Sequence, residues 1–222
     1  LLVGIQFKMD KKIANLYDAG NVDKAIHLLI EKINKHPQDI ENYLQLSTYL
    51  IEQNAADQAL ELLEKARGLV KHPEDLTYNI AVCYYMQGDF AKSLALLNSI
   101  ADDEETMYQK ALIFMKLGQY QKALAYALTL KNQDERTLEL IGDIWLSLGD
   151  LKSANQTYNK ISEDQRNAKV NFLLGLTLFD TNPDEAEKYF KLSKNQDPKY
   201  FAQAQKQYNA VAKLIRGKNG RN

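Results

Sequence analysis

The side chains of this chain that could do covalent or metal chemistry are few and scattered. Its one cysteine, Cys83, lies beside Tyr84 in an apolar stretch with no histidine close by in sequence. A thiol without a neighbouring base reads as a small core residue, not a nucleophile. The three histidines, His27, His36 and His72, stand in no H-E-x-x-H pattern, and a metal centre needs clustered ligands. There is no glycine-rich phosphate loop and no G-x-S-x-G elbow. Asn155-Gln156-Thr157 matches a glycosylation acceptor but falls within a helical pattern, without a secretion signal. The run Asp102-Asp103-Glu104-Glu105 reads as a solvated turn and the charged start of a helix. The expectation is no catalytic residues, no metal and no cofactor, hence not an enzyme.

Composition narrows the rest. The chain has 222 residues, 28 basic against 29 acidic, and a formal charge of −1. Neutralising phosphates demands a basic surface, so nucleic acid is not the expected partner. The balance gives no polybasic attraction to lipid either, and no apolar run is long enough to span a membrane. A lone cysteine requires no oxidising compartment, which makes the cytoplasm the expected location. Leu1–Phe7 is apolar but too short for a signal peptide core. Residues 1–8 are therefore expected to be an extension arising from cloning or start-site choice, with Met9 as the native start.

Such a chain must position its functional groups through a repeated scaffold. Small residues recur at Ala25, Ala59, Ser93, Ala123, Ala154 and Ala186, with spacings of 34, 34, 30, 31 and 32. Four residues after each stands Leu29, Leu63, Leu97, Ala127, Tyr158 or Phe190, one helical turn along the same face. Five residues before four of the small residues comes a glycine: Gly20, Gly88, Gly118 and Gly149. Upstream of the turn another column reads Leu16, Leu50, Tyr84, Phe114, Trp145 and Leu178. Small residues precede most of these by three: Ser47, Ala81, Ala111, Gly142 and Gly175. A bulky side chain beside a gap is how two helices interlock, so Trp145 reads as packing. The whole is a run of helical hairpins, which fold only by stacking on one another.

The pattern resembles the tetratricopeptide repeat, in which small, aromatic, glycine, alanine, aromatic and proline positions follow in fixed order. Ala81, Tyr84, Gly88, Ser93 and Leu97 carry the likeness in one repeat; Gly142, Trp145, Gly149, Ala154 and Tyr158 carry it in another. Pro37 and Pro198 fill the terminal proline position. Asn54 stands in one glycine slot, where asparagine can adopt left-handed geometry. The resemblance implies an all-α, right-handed superhelical α-solenoid of six hairpins. Their approximate bounds are 9–39, 40–73, 74–103, 104–134, 135–167 and 168–198, with no linker dividing them. A capping helix at 199–214 follows, carrying Tyr200, Ala204, Tyr208 and Val211 on one face, then a disordered tail at 215–222. The chain looks like the small stand-alone cytosolic repeat proteins common in bacteria.

The family's first helices line an inner groove, chiefly through positions 2, 5, 9, 12 and 13 of each repeat. Carried over, these give a peptide-binding groove of Tyr78, Tyr85, Met86, Tyr108, Leu112, Met115, Phe172 and Phe179. Leu44, Thr48, Val82, Lys116, Glu139, Asp143, Leu146 and Leu176 occupy equivalent positions. Glu41, Asp75, Glu105 and Arg136 stand at the groove edge. Aromatic and methionine side chains at inner positions imply an adaptable apolar binding surface. Inner positions of a tightly wound array can also pack on neighbouring repeats, and both uses stay open. The carboxylate clamp of chaperone-tail binders is not matched, because Asp10 and Asp75 stand where it needs basic residues. The implied function is a scaffold or adaptor that binds a peptide or helical segment of a partner protein. The alternatives are self-association into a homo-oligomer without foreign ligand and, less well supported, single-stranded RNA binding.

Overall fold

The computed structural model describes residues 8–219, with side chains through residue 209. Leu1–Phe7 of the expected extension and residues 220–222 of the expected tail lie outside them. Among the described residues every regular element is helical, and the chain divides into two compact units, residues 1–119 and 120–222. The first holds α1 (Lys11–Asp18), α2 (Val22–Lys35), α3 (Ile40–Glu52), α4 (Ala56–Ala66), α5 (Thr77–Met86), α6 (Phe90–Leu97) and α7 (Glu104–Lys116). The second holds α8 (Tyr120–Thr129), α9 (Glu135–Ser147), α10 (Leu151–Tyr158), α11 (Ala168–Leu178), α12 (Pro183–Gln196) and α13 (Pro198–Asn219). The boundary falls in the Gly118 turn of the fourth repeat, where the sequence carries no linker signal. The last helix continues to Asn219, past the 215 boundary expected for the tail.

Each turn follows from its residues. Gly20, Gly88, Gly118 and Gly149 have φ between 70° and 83°, and Asn54 takes the same left-handed geometry at φ 60°. At Gly88 the Asp89 amide donates to the Tyr84 carbonyl (2.9 Å), which closes the end of α5. The Asp89 carboxylate then accepts from the Lys92 amide (3.1 Å) and starts α6. Asp103 caps α7 in the same way through the Thr106 amide (2.8 Å). Its neighbour Asp102 has a specific partner, the buried ammonium of Lys110. The acidic run is therefore part cap and part ion pair, more than a solvated turn.

The small-residue column is the packing seam. Ala25, Ala59, Ser93, Ala123, Ala154 and Ala186 are all 0–1% exposed. The gaps at Gly142 and Gly175 are filled from the second helix of the hairpin. A Cβ on Gly142 would come within 2.3 Å of the Tyr158 ring, and one on Gly175 within 2.7 Å of the Phe190 ring. The knob is thus the residue four after the small column, whereas the sequence reading paired each gap with the bulky residue three positions on. Trp145 packs against the cluster of Leu138, Ala154, Tyr158, Ile161, Val170 and Leu174. Glycine meets an aromatic ring, and where the gap is Ala81 the knob in the same cluster is the smaller Leu97.

Candidate functional site

In the first unit the C-terminal turns of α1, α3 and α5 meet α7 around a groove of about 490 Å³. Tyr17, Ile51, Glu52, Val82, Tyr85, Met86, Gln109 and Leu112 line it. The walls are apolar because these helices present aliphatic and aromatic residues at their ends, one turn before each left-handed turn. Tyr17 stacks on Tyr49 with ring centroids 3.8 Å apart and planes 9° from parallel. The Tyr17 hydroxyl accepts from Gln53 Nε2 (3.0 Å). Burial pushes its phenol above the ordinary value, and the nearby Glu52 carboxylate adds to that. Burial raises the Tyr85 phenol too, and the Tyr85 ring rests against Phe90 at 5.7 Å.

Two polar groups interrupt this surface. Gln109 is only 1% exposed, and its Nε2 has no hydrogen-bond partner. Glu52 is the only charged residue of the lining. These two, with Tyr17 and Ile51, were missed in the sequence. Tyr17, Ile51 and Glu52 stand at positions 12 and 13 of repeats one and two, so completing those columns would have found them. Gln109 occupies position 6, outside the five positions carried over, and no sequence signal marks it as unpaired.

The expected groove residues divide between surface and core. Tyr85, Met86 and Leu112 are brought together in the groove, with Val82 beside them. Tyr78 instead packs, partly buried, against the two core clusters on either side of α5. Tyr108 and Met115 are half-buried and outside the lining. Leu44 and Thr48 are buried at 3% and 7%, so the middle of α3 is core. Phe172 is a correction: it is 5% exposed, enclosed by Phe190, Tyr200 and Phe201 at centroid distances of 5.4 to 6.4 Å. The rings of α13 cover it. Phe179 is 46% exposed but sits at the margin of the same cluster, against Phe190 and Tyr208.

Not all the edge charges stand at the groove. Glu41 and Asp75 stand at or just before the first turns of α3 and α5, at the opposite ends of these helices from the groove, whereas Glu105 is one turn before Gln109 on α7. From Asp75 to Met86 is about 16 Å along a helix. Arg136 belongs to the first turn of α9, in the second unit. Of the charges near the groove, Glu52 is in the lining, and Asp18 follows Tyr17 and acts on the Tyr17 and Tyr49 phenols.

The inner positions of the second unit are closed by a complete polar network. Lys169 Nζ donates to Glu139 Oε1 and to Asp143 Oδ2, both at 2.6 Å. The Tyr158 hydroxyl donates to Asp143 Oδ1 (2.6 Å), and Asn167 Nδ2 to Glu139 Oε2 (3.1 Å). All four carboxylate oxygens have a donor, which ties α9, α10 and α11 together. The two carboxylates hold the Lys169 ammonium well above its ordinary range despite its burial.

The remaining chemically capable residues are structural. Cys83 is fully buried, and desolvation pushes its thiol up to about 12. Asn155 Nδ2 donates to Thr177 Oγ1 (2.9 Å), which binds the amide of the glycosylation-like triplet to a neighbouring helix. Among the described residues no group of three His, Cys, Asp or Glu is placed to hold a metal ion. None of the described helices is long and apolar enough to cross a membrane.

Comparison with known proteins agrees with this architecture. Residues 50–113 match the family model described as "Tetratricopeptide repeat". No curated protein sequence matches the chain significantly. Similar solved structures include a chain of the APC/C hetero-tetramer Cut9–Hcn1, with a TM-score of 0.68 and 16% identity. That match covers 84% of this chain, which spans only 39% of its counterpart. PilF of Pseudomonas aeruginosa aligns with a TM-score of 0.68 and 16% identity over 89% of this chain and 95% of its own. YrrB, described as a TPR protein with an unusual peptide-binding site, aligns with a TM-score of 0.54 and 18% identity over 80% and 97%. The chain thus has the tetratricopeptide-repeat fold, and its residues 50–113 match the tetratricopeptide repeat family model.

Proposed function

We propose that the chain is a protein-interaction module that holds a segment of a partner protein in the groove of its first unit. The tetratricopeptide-repeat fold generally mediates protein–protein interaction, and the similar YrrB is described by its peptide-binding site. The observation that carries the reading is Gln109, a buried amide donor left unpaired at an otherwise apolar groove. Leaving such a donor unsatisfied costs about 1–3 kcal/mol. A main-chain carbonyl of an inserted segment recovers that cost. Apolar side chains of the same segment are then buried against Tyr85, Met86 and Leu112, where about 490 Å³ has room for one or two of them.

The test is a screen of immobilised peptides against the purified chain, followed by affinity measurement on the best binder. Met86→Ser with Leu112→Ser should weaken binding at least about tenfold, because both remove apolar contact area. Ile30→Ser with Leu69→Ser should leave it unchanged, since these exposed residues lie outside the groove. Unaltered affinity in the groove variant, with helicity and melting retained, would place the binding surface elsewhere.

A further inference from the structure

The groove is chemically lopsided, and its charge defines what fits beside the apolar anchor. Glu52 lies in the lining at the Tyr17 end, and Asp18 stands next to Tyr17 in sequence. Glu52 accepts a hydrogen bond from the half-buried Tyr17 hydroxyl, and the charges of Glu52 and Asp18 both raise the Tyr17 and Tyr49 phenols. Neither Glu52 nor Asp18 forms an ion pair with a described residue, although nearby carboxylates such as Asp10 and Asp89 have lysine partners. The stacked pair Tyr17–Tyr49 supplies an aromatic face at the same place. Two carboxylates without a cationic partner beside an aromatic ring match a planar cation, which donates forked hydrogen bonds and stacks on the ring. A second, independent feature lies across the groove: the unpaired Gln109 donor, 1% exposed, calls for a carbonyl in the same ligand.

We infer that the occupant is a partner segment carrying an arginine beside a bulky apolar residue. The arginine pairs with Glu52 and Asp18 over Tyr17, the apolar side chain fills the space between Met86 and Leu112, and a main-chain carbonyl meets Gln109. This rests on the groove being the binding site and adds the chemical class of what binds there. Lysine is the weaker fit, because a compact ammonium cannot both fork to the carboxylates and lie flat on the ring.

The experiment uses the whole chain and fluorescein-labelled nonapeptides in a glycine–serine frame. Each has a central leucine and one arginine placed in turn at every position within three residues of it. Citrulline, the neutral shape-mimic of arginine, gives the matched control set. The best arginine peptide should bind about tenfold tighter than its citrulline counterpart, with the preference shrinking as salt is raised. In the Glu52→Gln, Asp18→Asn double variant the preference should fall below about twofold, while the citrulline peptide keeps its affinity. Equal binding of arginine and citrulline peptides, or a preference that survives the double variant, overturns the inference and leaves the apolar groove standing. Absence of binding by every peptide overturns both. Self-association of the wild-type chain that Met86→Glu abolishes would give the groove to a second copy and overturn the assignment of a foreign partner.

Discussion

Replacing Gly142 with alanine sets helix propensity against packing, and the geometry decides which wins. The added methyl would lie 2.3 Å from Tyr158 Cε1, where ordinary contact begins near 3.4 Å. The ring has nowhere to retreat. It is 0% exposed, packed among Leu138, Ile161, Val170 and Leu174, and tethered by its hydroxyl to Asp143 at 2.6 Å. Overpacking of this kind costs about 1–3 kcal/mol, and a loosened hydroxyl bond adds about 1 kcal/mol. Alanine's better helix propensity offsets about 1 kcal/mol. The expected net loss is about 2 kcal/mol. Tyr158→Leu alone should also destabilise, through a cavity and the lost bond to Asp143. The double variant recreates the pairing of Ala81 with Leu97, both 0% exposed in the third repeat. Its loss should therefore fall short of the sum of the two single losses by at least about 1 kcal/mol. Urea unfolding followed by Trp145, the chain's one tryptophan and a neighbour of this cluster, reads the second unit directly. A Gly142→Ala variant as stable as wild type, or strictly additive changes, would refute the account of how the hairpins interlock.

Three further outcomes test other parts of the structure. Gln109→Leu should stabilise the ligand-free chain by about 1 kcal/mol, because an unpaired buried amide is replaced by an apolar group of similar length. The same change should weaken peptide binding, and loss of both stability and binding would argue that Gln109 has a partner within the fold. Cys83, with its thiol pushed up to about 12 and no exposed surface, should resist a thiol-reactive dye in the native state and react only on unfolding. Rapid native labelling would contradict that burial. Asp10 caps α1 and is held below the usual carboxylate range, first by Lys32 and then by the Ile13 and Lys12 amides, against the opposing effect of burial. Its contribution is present above the unfolded value near pH 4 and is lost as pH falls through the lowered folded value. Asp10→Ala should cost about 1–2 kcal/mol at neutral pH and flatten the acid side of the stability profile, as chemical denaturation across pH would record.

How much of this was legible follows from which forces act locally. Turn positions are dictated by backbone sterics at single residues, so Gly20, Gly88, Gly118, Gly149 and even Asn54 could be read directly, as could the buried small column. The partner of each gap could not, because Gly142 is three residues from Trp145 in sequence but meets Tyr158 from the next helix. The inner face was harder still. The same inner face of the repeats supplies groove at Tyr85, core at Leu44 and an aromatic cluster at Phe172, according to what covers it. Coverage depends on helices far away in sequence, such as α13 over Phe172. A periodic pattern assigns a face to a residue, but not what packs upon it.

The contrast between the two inner faces carries the functional argument further than any count of aromatics. A protein surface that is finished as structure satisfies its own polar groups, since each unsatisfied one costs stability. The carboxylates of the second unit do this: Glu139 and Asp143 have every oxygen engaged by Lys169, Tyr158 and Asn167, although Asn171 Oδ1 and Ser193 Oγ there stay without a partner. In the first unit Gln45, two repeats earlier at the position equivalent to Gln109, is also fully used. It accepts from the Asp10 amide at 2.9 Å and donates to Tyr49 Oη at 2.8 Å. Gln109 alone of this pair keeps an idle donor, and it does so beside an apolar groove that carries the carboxylate of Glu52. The fold thus satisfies this amide in one repeat and leaves it open in another. On the proposed function, a partner's carbonyl completes the open one.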